Sequence, residues 1–361
     1  MYLVSALFDV SWFFYGMEKF RLTTIRSLIS RFLIIIFVFV FVHSQEDLLI
    51  YTGIMAASFL LEQIQLIPFL YRYVKKVSIK KEDIIRHIRP NLKLFVPLLA
   101  LSIYNLMDKI MLGIITGSAA IVAFYTYAEN IINLPKGILQ ALDTVMLPRI
   151  SNLIANNHSK EGIEKMRHSI RFNLFISCAF MFGIVGIAPT FIPLFLGPKY
   201  LATIPLTMQL AIVIIPMSIT SVIQSHYLIP FRKDNVYIKA VAIGALINFL
   251  LNIILINMYG APGAIFGTLI AELSVCLYEM FYIRKIYSFK QLLKTILPFL
   301  LCGLFEVTVI ILLSTIEINA LLLILLQLIG GGSIYLFTVA IYLIYISKEF
   351  GSLRELINNF K

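Results

Sequence analysis

Long apolar runs separated by short polar connections repeat along nearly the whole chain. Ten runs are long enough to cross the roughly 30 Å of a bilayer interior: Ile25–His43, Leu48–Tyr71, Leu92–Thr116, Ala119–Pro148, Ile170–Leu196, Thr203–Pro230, Tyr237–Met258, Pro262–Ile283, Gln291–Leu313 and Ala320–Ile346. They lack strict alternation and are about twice the length a membrane β-strand needs, so they predict helices. Met1 to Phe14 is apolar but too short to span, with no basic leader or cleavage site. It reads as the second half of a helix.

Composition agrees with this pattern: of 361 residues 60% are hydrophobic and 14% charged, outside the soluble range. The net charge of +11 by itself would suit nucleic acid, but its placement excludes that reading. Lys and Arg gather in alternate connections, at 19–31, 72–93, 149–171, 232–239, 284–294 and the tail. The intervening connections hold Lys199 alone, while His43–Asp47 is acidic. Ten spans therefore alternate with every basic connection on the cytoplasmic side, where anionic lipid would attract them. Cys178, Cys276 and Cys302 all fall inside spans without CxxC spacing, and the five histidines form no ligand pair. No metal site or cofactor is expected.

One span departs from plain apolarity, AENIINLPKGILQALDTVMLPRIS at 128–151. At 100° per residue, Glu129, Asn133, Lys136, Gln140 and Asp143 share an arc of roughly 80°, with Tyr125 on the same face. Three charges near a bilayer centre cost about 8–10 kcal/mol, and a dozen apolar residues return about 4–7 kcal/mol. The stripe must therefore face neighbouring helices or water. Pro135, just before Lys136, removes a backbone donor and predicts a kink or local opening.

Neighbouring spans add further polar groups. Tyr104, Asn105 and Asp108 share a face, with Lys109 about 100° round from Asp108. Asn248 and Asn252, one turn apart, read as hydrogen-bond glue between helices. Glu62 and Glu272 read equally well as structural partners of a cation on a neighbouring helix and as functional groups of the polar interior. His226, near the cytoplasmic end of its span, reads as interfacial, and Gly330–Gly332 as a close-packing or bending site.

A shift of about 210 residues superimposes Phe20-Arg21 on Phe231-Arg232, Gly53 on Gly263 and Glu62 on Glu272, in matching span order. Two repeated bundles are a common transporter plan. By the same shift the first bundle would open roughly 120 residues before Met1, three helices and part of a fourth ahead of the sequence.

Three stretches together resemble a known family: FDVSWFFYGMEKFRLTTIRSLISR at 8–31, the run 104–151 containing DKIMLG and VMLPRIS, and INFLLNIILINMYGAPGAIFGTLIAE at 247–272. They are similar to the Wzx-type flippases of lipid-linked O-antigen and capsular repeat units, within the superfamily of multidrug, oligosaccharidyl-lipid and polysaccharide exporters. The resemblance implies an all-α polytopic membrane protein with two pseudo-repeated six-helix lobes around a central cavity, plus two C-terminal helices. On this chain that gives an incomplete first lobe at 1–72, a basic cytoplasmic linker at 73–91, and a second lobe at 92–284. The extra pair follows at 291–346, and a cytoplasmic tail at 347–361.

The implied substrate is a polyprenyl-diphosphate-linked oligosaccharide, moved from the cytoplasmic to the outer leaflet of a bacterial cytoplasmic membrane. Lys136 and Lys109 are candidates to meet the diphosphate; Asn133, Gln140, Asn105, Tyr104 and Tyr125 offer amide, hydroxyl and aromatic surfaces to sugar. Asp108, Glu129 or Asp143 would exchange a coupling proton or sodium ion. Arg21, Arg26 and Arg31 read as positive-inside anchors or as diphosphate capture at entry. Membrane lipids and polysaccharide polymerase or chain-length proteins are the implied partners. A drug exporter or a lipid II flippase of the same superfamily would share the fold. A membrane polymerase or glycosyltransferase would need a larger outer loop or a catalytic motif, and a channel would need a repeated filter loop.

Overall fold

The computed structural model describes residues 2–17, 19–75 and 106–346, with positions 80, 82, 85, 86 and 88 between the last two segments. The chain divides into two compact units, Met1–Leu94 and Phe95–Lys361. Helices dominate both, and no strand occurs among the described residues.

In the first unit α1 (Tyr2–Leu7) and α2 (Ser11–Gly16) replace the single half-helix expected before Phe14. The break lies at Asp9, whose Oδ1 accepts the Ser11 amide at 2.9 Å and so offers the backbone a turn instead of another helical bond. The two long helices α3 (Phe20–Phe41) and α4 (Leu48–Ile64) pack together, and α5 (Ile67–Leu70) follows α4 after a turn. Pro68 in the first turn of α5 disfavours helix immediately before it, which divides the predicted Leu48–Tyr71 span. Between α3 and α4, Ser44 and Asp47 form a capping box. The amides of His43 and Ser44 donate to Asp47 Oδ2 at 2.9 and 2.8 Å and hold its carboxyl below the ordinary carboxylate range.

The second unit opens, within the described residues, with α6 at 106–116. The predicted span from Leu92 otherwise lies outside them. Gly117, at φ +62°, and Ser118 turn the chain into α7 (Ala119–Ala155), where the Ser118 hydroxyl accepts the Ile121 amide. Helix α8 (Ser159–Leu196) begins 11 residues earlier than the predicted span at Ile170, because its first turns are polar and helical without being apolar. The predicted Thr203–Pro230 span is divided into α9 (Thr203–Ala211) and α10 (Ile214–Ile223), which ends in a π-helical turn, Gln224–Leu228. Pro216 accounts for the division: it cannot donate to the carbonyl one turn back, and α10 restarts with it in the first turn. Helices α11 (Asp234–Tyr259), α12 (Ala261–Ile283), α13 (Phe289–Leu313) and α14 (Ala320–Ile341) follow the predicted runs.

Eight helical stretches among the described residues are long and apolar enough to cross a membrane. Helix α7 is not one of them, although it has 37 residues, because its polar stripe dilutes the apolar content. It continues through Pro135 and Pro148 as a helix, without the local opening expected at Pro135.

In lipid, helices associate through close packing rather than hydrophobic expulsion. Gly263 shows this at the α11–α12 seam, where a Cβ would run into the Leu255 carbonyl; Gly260, at φ +63°, is the whole connection between the two helices. Helices α13 and α14 pack on α8. There a Cβ on Gly186 or Gly331 would come within 2.8 or 2.7 Å of the Ile310 side chain. The glycine run of the last span is thus a packing site at Gly331, while a Cβ on Gly332 would meet open space.

Candidate functional site

Asp108 stands at the meeting of four helices of the second unit. Its Oδ2 accepts from the Tyr125 hydroxyl and the Thr268 hydroxyl, both at 2.7 Å, and its Oδ1 accepts from Asn252 Nδ2 at 2.6 Å. Asn252 Nδ2 also reaches Asn248 Oδ1 at 3.2 Å, and Asn248 donates to Thr268 at 3.4 Å. Asn252 is fully buried, and its Oδ1 has no hydrogen-bond partner. A Cβ on Gly267 would collide with that same oxygen, so the glycine makes room for the amide. The two asparagines, read from sequence as helix glue, do join helices, and they do so around a carboxylate.

One residue along α6, Lys109 pairs with Glu129 of α7 at 2.5 Å. The other stripe lysine, Lys136, lies within the fields of Glu129, Glu272, Asp108 and Lys109. With Gln140 it lines a cavity of about 210 Å³, shared with Ser218, Ser221 and Gln224 of α10 and its π-turn and with Glu272 of α12. Asn133 is exposed and joins neither group. Tyr104 and Asn105 lie outside the described residues.

Asp143, two turns beyond Lys136, is 7% exposed. It accepts the Ser221 hydroxyl through Oδ2, and its Oδ1 lies 3.2 Å from Nε2 of His226. His226, read from sequence as interfacial, is 1% exposed, and its π-turn packs against α7. The same turn reaches α12, where Gln224 donates to Glu279 at 2.8 Å. In the first unit, Arg26 is buried and donates to the Glu62 carbonyl at 2.6 Å, with its guanidinium 3.5 Å from the Glu62 carboxylate. Glu62 thus has the cation on a neighbouring helix that was one of its two readings. Arg21 and Arg31 remain exposed.

The second unit therefore contains helices that surround carboxylates, amides and lysines with apolar exteriors. No group of three or more potential metal ligands occurs among the described residues. Such an interior, in a chain with eight membrane-length helices, defines a multi-pass membrane protein with a polar path or binding cavity. The chain matches the solved structure titled "Lipid II flippase MurJ, inward closed conformation" with a TM-score of 0.72 and 21% identity, over 89% of this chain and 67% of that one.

Residues 1–154 match the family described as "Polysaccharide biosynthesis protein". The chain is 23% identical over 283 residues to the "Putative O-antigen transporter" of Shigella dysenteriae, covering 78% of this chain and 70% of that one. It is 24% identical over 285 residues to the protein of the same name from Escherichia coli (strain K12), covering 78% and 68%. These matches bear out the resemblance to the Wzx-type flippases. The relatives carry transporter and flippase names rather than enzyme names, in line with a protein that is not an enzyme.

Proposed function

We propose that the protein moves polyprenyl-diphosphate-linked oligosaccharide repeat units from the cytoplasmic to the outer leaflet for polysaccharide biosynthesis, by alternating access coupled to an ion gradient. It would do so in a bacterial cytoplasmic membrane, with its C-terminus cytoplasmic and with polymerase or chain-length proteins downstream. The division at 1–72, 73–91, 92–284, 291–346 and 347–361 belongs to the same proposal. The observation that carries the reading is the polar interior of the second unit, where a lysine, two amides and several hydroxyls line one cavity among membrane helices. The relatives named as O-antigen transporters supply the substrate class.

Within this reading Lys136 meets the diphosphate, since Lys109 is already neutralised by Glu129. Gln140, together with Asn133, Tyr125, Tyr104 and Asn105, offers polar surface to sugar. Asp108, Glu129 and Asp143 are the candidates for ion coupling, with Asp108 the most fully surrounded by donors. Capture at entry falls to the exposed Arg21 and Arg31, while Arg26 holds α3 to α4.

The test uses cells that lack the gene, complemented with the natural full-length chain or its Lys136→Ala variant. The fraction of lipid-linked repeat unit accessible to a lectin at the outer face is measured at equal membrane expression. Rescue by the wild type and loss with the variant is expected. Rescue by both removes Lys136 from the path, and failure of the wild type to expose any lipid-linked sugar refutes the flippase reading.

A further inference from the structure

The cavity has a second titratable device at one end, built on the π-turn that closes α10. A π-turn widens the helix by one residue per turn and is found mostly where a helix serves a site. Here the end of α10 and its π-turn put three side chains to three uses. Ser221, just before it, lines the cavity and donates to Asp143; Gln224 lines the cavity and donates to Glu279; His226 points away and sets its Nε2 beside Asp143. One short segment therefore ties α7 to α12 and forms part of the cavity wall.

The pairing of His226 with Asp143 is unusual in its surroundings. Both residues are more than nine-tenths buried. Neither nitrogen of the ring has an aligned hydrogen bond, and neither has Asp143 Oδ1. The two groups thus face each other at 3.2 Å, within ion-pair distance and without an aligned hydrogen bond. With a neutral ring, the pair carries a net charge of −1 inside a membrane bundle. With a proton added, an imidazolium faces a carboxylate and the net charge is zero, which is far cheaper away from water.

Other titratable groups stand around the turn, and none of them touches the His226 ring in an ion pair. Helix α7 contributes Lys136, two turns away at the cavity; α12 contributes Glu272 at the cavity and Glu279, whose Oε1 accepts from Gln224 and whose buried Oε2 has no partner. Helix α11 brings the Tyr237 phenol to the packed seam, and α8 brings the apolar Met166, Ile170 and Leu174.

We infer that Asp143 and His226 form a proton-binding site at the end of the cavity, and that the bound proton clamps the π-turn of α10 onto α7. The proton enters at the imidazole, and Nδ1, which has no partner, is its free basic position. Its loss leaves Asp143 held by Ser221 alone. That hydroxyl lines the cavity, so a polar occupant there competes for it directly. The coupling role of the site rests on the transport reading above; the proton site itself does not.

The test uses the full chain in lipid nanodiscs with 15N-labelled histidine. The His226→Gln variant identifies the His226 signal among the five histidines. Between about pH 5 and about pH 9, where an imidazole titrates, the signal is expected to move and its midpoint to change in Asp143→Asn. Amide hydrogen exchange over residues 221–231, corrected for intrinsic rates, is expected to be several-fold slower at the acid end in the wild type. That pH dependence is expected to vanish in His226→Gln and in Asp143→Asn, which keeps the shape of the carboxyl and the Ser221 contact.

A His226 signal that does not titrate overturns the site. Equal exchange in wild type and His226→Gln at both pH values overturns the clamp. Neither readout uses a lipid-linked sugar, so failure of the lectin assay alongside these expected results refutes the flippase reading and leaves the proton site standing.

Discussion

Gly267 and Asn252 give the sharpest test of the Asp108 cluster. An added methyl at Gly267 occupies the space of Asn252 Oδ1, so the amide must swing away and Nδ2 loses its 2.6 Å bond to Asp108. A hydrogen bond to a charged group contributes about 1.5–3 kcal/mol in soluble proteins. Polar bonds between membrane helices average about 0.6 kcal/mol and reach about 1.7 kcal/mol. For a charge-assisted bond in a bundle, about 1–2 kcal/mol follows. The Gly267→Ala change alone is a poor measure, because alanine recovers about 1 kcal/mol of helix propensity.

A double-mutant cycle removes that term, since propensity at 267 is common to both of its arms. Asn252→Ala is expected to cost about 1–2 kcal/mol in the wild-type background and close to nothing beside Gly267→Ala, where the bond is already broken. Cys178, Cys276 and Cys302 are all buried, so a thiol-reactive dye reports their exposure as the purified protein is heated. At about 2–4 °C per kcal/mol, the first substitution should lower Tm by roughly 2–8 °C and the second hardly at all. Equal losses in the two backgrounds would refute the idea that Gly267 exists to seat the Asn252 amide against Asp108.

Three further outcomes follow from the geometry. Lys109→Ala removes the direct partner of a half-buried Glu129 and leaves it only the field of Lys136; the change should destabilise the protein by about 1–3 kcal/mol, most of it recovered in the Lys109→Ala, Glu129→Ala double variant, read by the same melting assay. Arg26→Ala should loosen the α3–α4 pair more than Glu62→Gln does, because the guanidinium also serves the Glu62 carbonyl; hydrogen exchange along α3 and α4 measures the difference. Asp47 has a lowered carboxyl, so its contribution to the turn is present above the unfolded value of about 4 and lost as pH falls through the folded one. Exchange at His43–Asp47, corrected for intrinsic rates, should therefore hold steady from neutral pH down to about pH 4 and rise below it, a rise that Asp47→Asn abolishes.

The helices were legible because a membrane span needs a long apolar run and the chain supplies one after another. What hydropathy could not show was how such a run is cut. Asp9, Pro68 and Pro216 divide apolar stretches through a side-chain acceptor or a missing amide, and none of the three changes the apolar count much. The stripe on α7 was legible by helical angle, and so was Asp108. Its partners were not, because Asn252 and Thr268 lie 144 and 160 residues away and only tertiary packing brings them there. Gly267, one residue before Thr268 and facing an asparagine, was the available hint. The burial of His226 was not legible, because a π-turn has no compositional sign.

The connections around Asp108 have a mechanical consequence. Helices α6 and α7 are joined by Gly117 and Ser118, and α11 and α12 by Gly260 alone, with backbones in contact at Gly263. Each pair is a short-hinged strut that resists internal sliding. Asp108 receives one donor from its own strut, Tyr125, and two from the other, Asn252 and Thr268. Any shear between the two struts strips away two donors together and leaves the carboxylate with one. A single side chain thereby registers the relative position of two rigid bodies, and whatever cation replaces the lost donors becomes a lock on that position.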